Sequence, residues 1–273
     1  MRYLLPLILC AALPGVALAE PKCEHSRPIA QDLDLAGVNK VMFEVGAYDL
    51  EVNAAAGRQG SLAGRACASS ADRLAQLEVV QVRDGDTLRV SLRRDAPRAE
   101  LNFGRSYSGL YVTGTVPDDV LVQLKVGSGD ASVTGARSLS VDLGSGDVAA
   151  HDIARRVTAA VGSGDLEING AGALKVLSVG SGDIEARDIR GDVEVGSIGS
   201  GDLEVDGAAG NVAIGSIGSG DASLHRIGGQ VRVDSIGSGD LDVHGARALE
   251  VGSVGSGDVR HRDVGQVSLP RAR

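Results

Sequence analysis

The chain has 273 residues, a formal net charge of −9 at pH 7 and only 2% aromatic residues. Nearly all of the negative charge lies in residues 116–273, which carry 14 basic and 23 acidic side chains. This acidity argues against nucleic acid or an anionic membrane surface as a partner of that region.

Residues 1–19 have the pattern of a secretory signal peptide. Arg2 precedes an apolar run from Leu4 to Leu13, and Ala17-Leu18-Ala19 provides the small residues of a cleavage site. We therefore expect cleavage after Ala19. No later segment reaches the roughly 18 apolar residues that a membrane span requires. The sequence thus predicts a periplasmic or secreted protein with no transmembrane segment in the mature chain.

Two cysteines, Cys23 and Cys67, remain after the predicted cleavage. An even pair in an exported chain predicts one disulfide bond, which would tie the mature N-terminus to the region before the repeats described below. The alternative is two free thiols that act as metal ligands, but no neighbouring cluster of Cys or His supports it.

Residues 20–115 are predicted to form a β-rich section that caps the repeats. Alternating apolar residues predict strands in 41–45, 48–52, 77–82 and 87–92, and residues 83–86 contain an Asp-Gly turn signal. Residues 69–76 are long enough for one helical turn. All aromatic residues of the predicted mature chain lie in this section, so the repeats have no aromatic platform of their own for stacking sugars or bases.

The tetrapeptide Gly-Ser-Gly-Asp occurs eight times after residue 116, with its aspartates 17 to 19 residues apart. Such a short, steady period predicts one supersecondary unit stacked on copies of itself. The segment Gly46–Leu50 looks like a worn copy of the same motif. The eight motif aspartates are Asp130, Asp147, Asp165, Asp183, Asp202, Asp221, Asp240 and Asp258.

Each repeat carries the period-two pattern of a short strand with one buried face. The residues directly before the motif and directly after its Asp are apolar, and the next residue is usually polar. A Gly or Asp usually stands at the fifth position after the motif Asp and indicates a turn, and a second alternating strand such as 193–195 follows. The predicted fold is all-β: a parallel β-solenoid of about eight 17–19-residue coils over residues 116–269, with a tail at 270–273.

We interpret the motif aspartates as a structural turn ladder. Glycine would allow the positive φ of a sharp corner, and the Ser and Asp side chains would satisfy nearby corner amides as Asx and Ser turns. The alternative is calcium, because Asp residues in glycine turns resemble those of calcium-binding β-rolls. The opposite turn has no matching motif, so half of the ligand cage would be missing, and we predict that no cofactor is required.

A further column of side chains along the stack contains residue types that bind metal ions. Asp206, His225, His244 and Arg262 each lie four residues after a motif Asp and should stack on consecutive coils. Asp206, His225 and His244 together could hold a divalent metal. Other coils place unrelated polar residues in this column, which favours a solvent-facing surface. No arrangement of a nucleophile with a base is evident, so we predict that the protein is not an enzyme.

The repeated Gly-Ser-Gly-Asp followed by an apolar-x-apolar triplet resembles the bacterial "putative adhesin" β-strand repeat family and the related GIN-type head domains of auto-transporter adhesins, over residues 38–269. The resemblance implies a β-solenoid in an exported envelope protein. We therefore expect a non-enzymatic solenoid that presents a repeated surface to an unknown envelope protein or glycan, with edge-to-edge self-association as a further mode. The alternatives are a purely structural periplasmic protein and a carbohydrate-active β-helix enzyme.

Overall fold

The computed structural model describes residues 23–57, 59–95 and 106–270, and most of these residues lie in β-strands. The predicted signal peptide and residues 271–273 of the predicted tail lie outside the described residues. The N-terminal part contains helix α1 (Ala71–Ala75) and the strands β1 (His25–Leu33), β2 (Lys40–Gly46), β3 (Asp49–Ala55), β4 (Gly60–Ala68), β5 (Leu77–Asp84), β6 (Thr87–Arg94) and β7 (Ser108–Pro117).

The strands that follow form regular coils, and each coil contributes one strand segment to each of two facing sheets. They are β8 (Leu121–Val126), β9 (Ala131–Thr134), β10 (Ser138–Leu143), β11 (Val148–Val161), β12 (Leu166–Val179), β13 (Ile184–Ile189), β14 (Val193–Ile198), β15 (Leu203–Ala208), β16 (Val212–Ile217), β17 (Ala222–Ile227), β18 (Gln230–Ile236), β19 (Leu241–Val254) and β20 (Val259–Ser268). The 14-residue strands β11, β12 and β19 bend at the corner and belong to both sheets.

All neighbouring coils from β8 to β20 pair in parallel, which confirms the predicted solenoid. The residue after each motif Asp pairs with its counterpart on the next coil, as in Leu166 with Ile184 and Ile184 with Leu203. This register places the motif aspartates in one line along a corner. The inward positions are Val, Ile, Leu and Ala with little or no exposure, and the described residues contain no buried polar or charged residue. Burial of these aliphatic columns stabilises the stack.

The corner opposite the motif requires left-handed backbone. The fifth residue after each motif Asp has a positive φ. In four coils this residue is not glycine: Asp152 (54°), Asp188 (55°), Arg226 (55°) and Asp263 (54°). Asp tolerates this region better than most residues, whereas arginine does so at a cost of roughly 1–2 kcal/mol. The predicted turn therefore occurs in all eight coils, including the one whose sequence gives no turn signal.

Parallel pairing crosses the position at residue 116 where we placed the start of the solenoid. β2 and β3 form a complete coil that pairs in parallel with β8 and β9 on one side and with β6 and β7 on the other. Leu50, in the worn copy of the motif, pairs with Ala131. The N-terminal part thus contributes two more parallel layers, and in the described residues the antiparallel pairs are β1–β4, β4–β7 and β5–β6.

The N-terminal end of the stack is closed. β1 and β5 are the outermost strands, and side chains connect their edges: Gln31 Nε2 donates to the Val79 carbonyl at 3.2 Å, and Gln81 Nε2 donates to the Asp32 carbonyl at 3.1 Å. A disulfide joins Cys23 and Cys67 with a Cα–Cα distance of 5.4 Å, which confirms the predicted pair. In the described residues no helix is long and apolar enough to cross a membrane.

The C-terminal end differs from the N-terminal end. β20 pairs with β19 on one side, and among the described residues its outer edge has no partner strand. Val267 is 41% exposed and Leu269 is 42% exposed, in contrast to the fully buried aliphatic columns of the coils before. We call this outer edge of β20 the open edge.

Candidate functional site

The motif aspartates form a hydrogen-bonded ladder between coils. The Oδ1 atom of one Asp accepts the backbone N–H of the motif Asp on the next coil, as in Asp183 Oδ1 with Asp202 N (2.9 Å) and Asp202 Oδ1 with Asp221 N (2.8 Å). The same bond occurs at the steps 130–147, 165–183, 221–240 and 240–258. The expected Asx turns are therefore replaced by bonds to the equivalent amide one coil further on, which an aspartate lined up with its copies can reach.

The role that we assigned to the motif glycines is wrong. None of them has a positive φ. They are glycines because the corners of successive coils stack backbone on backbone: a Cβ on Gly199 would lie 2.7 Å from the Gly180 carbonyl oxygen, and one on Gly201 would lie closer still to that of Gly182. Real Cβ atoms do not approach an oxygen below 3.0 Å, so the spacing of the coils excludes any side chain at both positions.

The ladder makes a specific prediction for Asp202. Asp202→Ala leaves the Asp221 N–H without its acceptor at a corner, so we expect a loss of about 2 kcal/mol in the free energy of unfolding. Asp202→Asn keeps an oxygen at that place and removes one charge from a row of like charges, so we expect a loss below about 1 kcal/mol. Chemical denaturation of the two variants measures the difference, and equal losses would contradict the ladder.

A groove lies where the ladder meets the N-terminal coils. Its volume is about 630 Å³, and it spans the motif corner from β7 to the coil of Asp165. Asp49 of the worn motif extends the ladder by one step, since the Asp130 N–H bonds to its carboxylate. We call this surface the acidic groove; its polar residues are Asp49, Glu51, Tyr111, Thr113, Ser132, Asp130, Asp147, Asp165 and Glu167.

The floor of the acidic groove is low because two small side chains interrupt a column of larger ones. The column runs from Glu51 through Ser132 and Ala149 to Glu167, each paired with the next across adjacent strands. The two glutamates thus form walls on either side of a floor of Ser and Ala. A side chain of a partner can enter there and meet carboxylates on both sides.

The electrostatics of the acidic groove favour a positive group. The pKa of Asp49 is raised above its ordinary value by burial and by the nearby Asp130 charge, while the backbone hydrogen bond from Asp130 acts in the opposite direction. A cation bound there would relieve the repulsion between the two carboxylates. At the N-terminal end the half-buried Tyr111 ring carries the Arg65 guanidinium 5.5 Å from its centroid.

The predicted metal column is assembled only in part. Asp206, His225 and His244 do pair on consecutive strands, and the two imidazole rings meet edge to face with centroids 6.1 Å apart. However, Asp206 Oδ1 pairs with Arg226 Nε at 2.8 Å, and His244 Nε2 contacts Asp263 Oδ2 at 2.9 Å. Among the described residues, no group of three or more His, Cys, Asp or Glu side chains is arranged to hold a metal ion. The absence of a calcium requirement stays a prediction.

Many exposed carboxylates are paired with cations, including Glu167 at one wall of the acidic groove. Arg187 lies between Glu167 and Glu185 of the same column, with Glu167 Oε1 at 3.6 Å. Lys175 Nζ lies 3.2 Å from Glu194 on the other sheet. These surface pairs contribute about 0–1 kcal/mol each and describe solvated faces of the coils.

Sequence reasoning missed Tyr111 as a member of the groove. Tyr111 reaches the motif corner because β7 pairs with β3, which puts it opposite Asp49. The worn copy at Gly46–Leu50 is the signal that could have found Asp49, since its Asp precedes an apolar residue as in the other repeats. Nothing in the local sequence around Tyr111 indicates its position.

The parallel coils, the stacked Asp corner and the antiparallel cap together define a capped β-solenoid. The family model described as Toastrack DUF4097 matches residues 38–209, and the chain belongs to this family. The matched range begins just before β2 and therefore includes the N-terminal parallel coils together with the first repeats. No curated protein matches the chain.

The chain is also similar to several solved structures. A "putative adhesin" from Bacteroides fragilis is 18% identical and covers 86% of this chain and 97% of its own, with a TM-score of 0.48. A "putative adhesin" from Parabacteroides merdae is 18% identical over 86% of this chain and 96% of its own, with a TM-score of 0.49. A "putative lipid binding protein" from Parabacteroides distasonis is 17% identical over 89% and 97%, with a TM-score of 0.43. At this level of similarity, these names carry no functional conclusion for the present chain.

Proposed function

We propose that this protein is an exported, non-enzymatic β-solenoid that binds a partner in the bacterial envelope through the acidic groove. The observation that carries the proposal is the groove itself: carboxylates of Asp49, Asp130, Glu51 and Glu167 surround a floor of small residues. A concave surface with converging like charges suits a ligand of opposite charge. The partner is therefore a positively charged segment of an envelope protein, with a cationic glycan as the second candidate because the same carboxylates would bind its positive groups.

Binding is favoured over catalysis by what the carboxylates do. One oxygen of most motif aspartates is committed to the next coil, and Glu167 and Glu185 share Arg187. An acid–base pair of a polysaccharide-cleaving enzyme needs one carboxyl group with a strongly raised pKa beside an ionised one. The pKa of Asp49 is raised, but the Asp130 backbone N–H donates a hydrogen bond to the Asp49 carboxylate. Asp49 therefore belongs to the structural ladder.

Export is supported by the disulfide between Cys23 and Cys67 together with the signal-like pattern of residues 1–19. We place the mature protein in the periplasm or outside the cell, after cleavage behind Ala19. The likeness of the repeats to the GIN-type heads of auto-transporter adhesins agrees with a role in adhesion, and we include it in the proposal on the strength of the motif.

The test uses two matched arginine substitutions. Ser132 and Ser223 both stand two residues after a motif Asp, but only Ser132 lies in the acidic groove. We expect Ser132→Arg to fill the groove with a cation and to weaken capture of the envelope partner by immobilised protein about tenfold or more. Ser223→Arg should leave capture unchanged. Equal capture by both variants would contradict binding through the groove, and no capture by wild type would favour a purely structural role.

Two further measurements separate the alternatives. The melting temperature should be the same with and without chelator. If calcium were bound, at a hundredfold above its dissociation constant it would stabilise the fold by about 2.7 kcal/mol, and chelation would lower the melting temperature. Incubation with envelope polysaccharides should release no product. Turnover that is lost on substitution of His225, His244 or Glu204 would favour the enzyme.

A further inference from the structure

The outermost strands are covered at the N-terminal end of the solenoid and uncovered at the C-terminal end of its described part. At the N-terminal end, the edges of β1 and β5 are joined by side-chain hydrogen bonds, among them Arg27 Nη2 to the Leu77 carbonyl at 2.6 Å. At the open edge of β20 no strand, helix or side-chain bridge occupies this place among the described residues. Unpaired strand edges are templates for a further strand.

The backbone groups of the open edge continue the bonding series of the coils. Ala222 N–H donates to the Asp240 carbonyl at 3.0 Å, and Leu241 N–H donates to the Asp258 carbonyl at 2.9 Å. Val259 holds the same position on the last coil, so its N–H points away from β19. Since backbone groups of successive residues point alternately to the two edges of a strand, the N–H of His261 also faces outward. An added strand would find donors already spaced for it.

Near the open edge, two arginines have no acidic partner within the described part of the chain. The described residues 244–270 carry three basic and three acidic side chains, and each acidic one is already paired: Glu250 with Arg232, Asp258 with Arg260 and Asp263 with His244. Arg260 is paired with Asp240 and Asp258. Arg247 and Arg262 make no salt bridge within the described part of the chain, so both guanidinium groups are free to meet a carboxylate.

We propose that the open edge binds an extended acidic polypeptide segment, which adds to β20 as one more strand. Backbone hydrogen bonds would provide the affinity, and Arg247 and Arg262 would select negative side chains. A second copy of this chain is the weaker occupant, because end-to-end pairing would bring Arg262 and Arg247 of both copies together. Like charges across a contact disfavour it.

The experiment uses a peptide that copies residues 199–217, one complete coil with three acidic side chains and no basic one. Its affinity for the mature protein is measured by fluorescence anisotropy at two salt concentrations. We expect binding that weakens with salt, and no measurable binding of the control peptide with Asp202→Lys, Glu204→Lys and Asp206→Lys. Absence of binding, or equal binding of both peptides, would overturn the proposal.

Two protein variants test the place and the chemistry of binding. His261→Pro removes an outward N–H of an edge strand, where proline is tolerated, and should abolish binding with little change in melting temperature. The double variant Arg247→Glu and Arg262→Glu leaves the backbone hydrogen-bonding groups of the edge unchanged and should weaken binding by about tenfold or more. It replaces the proline variant as the test if that variant fails to fold. Unchanged binding in the double variant contradicts the proposal.

Two controls complete the test. Ser132→Arg should bind the peptide as wild type does, which separates this edge from the acidic groove. Sedimentation of the protein alone should show no dimer that His261→Pro removes. Such a dimer would mean that a second copy occupies the edge, and it would overturn the acidic-segment proposal.

Discussion

Replacement of Gly201 by alanine should destabilise the protein by about 3 kcal/mol. The new Cβ would overlap the carbonyl oxygen of Gly182 on the preceding coil, and a backbone oxygen cannot move aside as a flexible side chain can. The two coils would have to separate at the corner, which stretches the bonds that Ser200 N and Gly201 N donate to the Gly180 carbonyl at 2.8 and 3.1 Å. Urea unfolding followed by circular dichroism measures the loss.

Two neighbours in the same motif provide the controls. Gly199→Ala places its Cβ 2.7 Å from the Gly180 oxygen, a milder overlap, and should cost less than Gly201→Ala. Ser200 is exposed, and Ser200→Ala should change stability by less than about 0.5 kcal/mol. The expected order is therefore Gly201, Gly199, Ser200. A Gly201→Ala variant as stable as Ser200→Ala would show that the corners are not packed backbone on backbone.

The alignment of the motif aspartates could be predicted from the sequence, but the reason for the glycines could not. A fixed period and a period-two pattern determine which residues lie above one another, and this was enough to place Asp183 and Asp202 in one line. The distance between stacked corners is a property of the backbone pairing itself. Positive φ and close approach both select glycine, so composition alone does not distinguish them. Arg226 is the opposite case: its backbone is left-handed, but the residue is neither Gly nor Asp, so the sequence does not indicate the turn.

The acidic groove was harder to predict because its residues are distant in sequence. Asp49 and Tyr111 reach the corner only because β3 is inserted between β7 and β9, an order in space that differs from the order in the chain. Local alternation predicts that these segments are strands but not which strands they pair with. A surface made of one repeat needs only the period, whereas a surface shared by the cap and the repeats needs the topology.

Loss of the Cys23–Cys67 disulfide should also destabilise the protein strongly. The bond closes a loop with a sequence separation of 44 residues, for which the chain-entropy model gives about 4 kcal/mol. It ties the start of β1 to the end of β4, and β1 closes the N-terminal end of the stack. For a domain of this size, a loss of about 4 kcal/mol should lower the melting temperature by about 10 °C.

The matched measurement compares the oxidised protein with a variant that carries both Cys23→Ser and Cys67→Ser, which avoids an unpaired thiol. Because each coil contacts mainly its neighbours, the effect should be largest at the N-terminal end and should fade along the solenoid. Hydrogen exchange should therefore show faster exchange in β1 and β4 and nearly unchanged protection in β16 and β18. A melting temperature within about 2 °C of the oxidised protein would contradict a stabilising role for the bond. Uniform loss of protection in all coils would instead show that the cap and the repeats unfold as one cooperative unit.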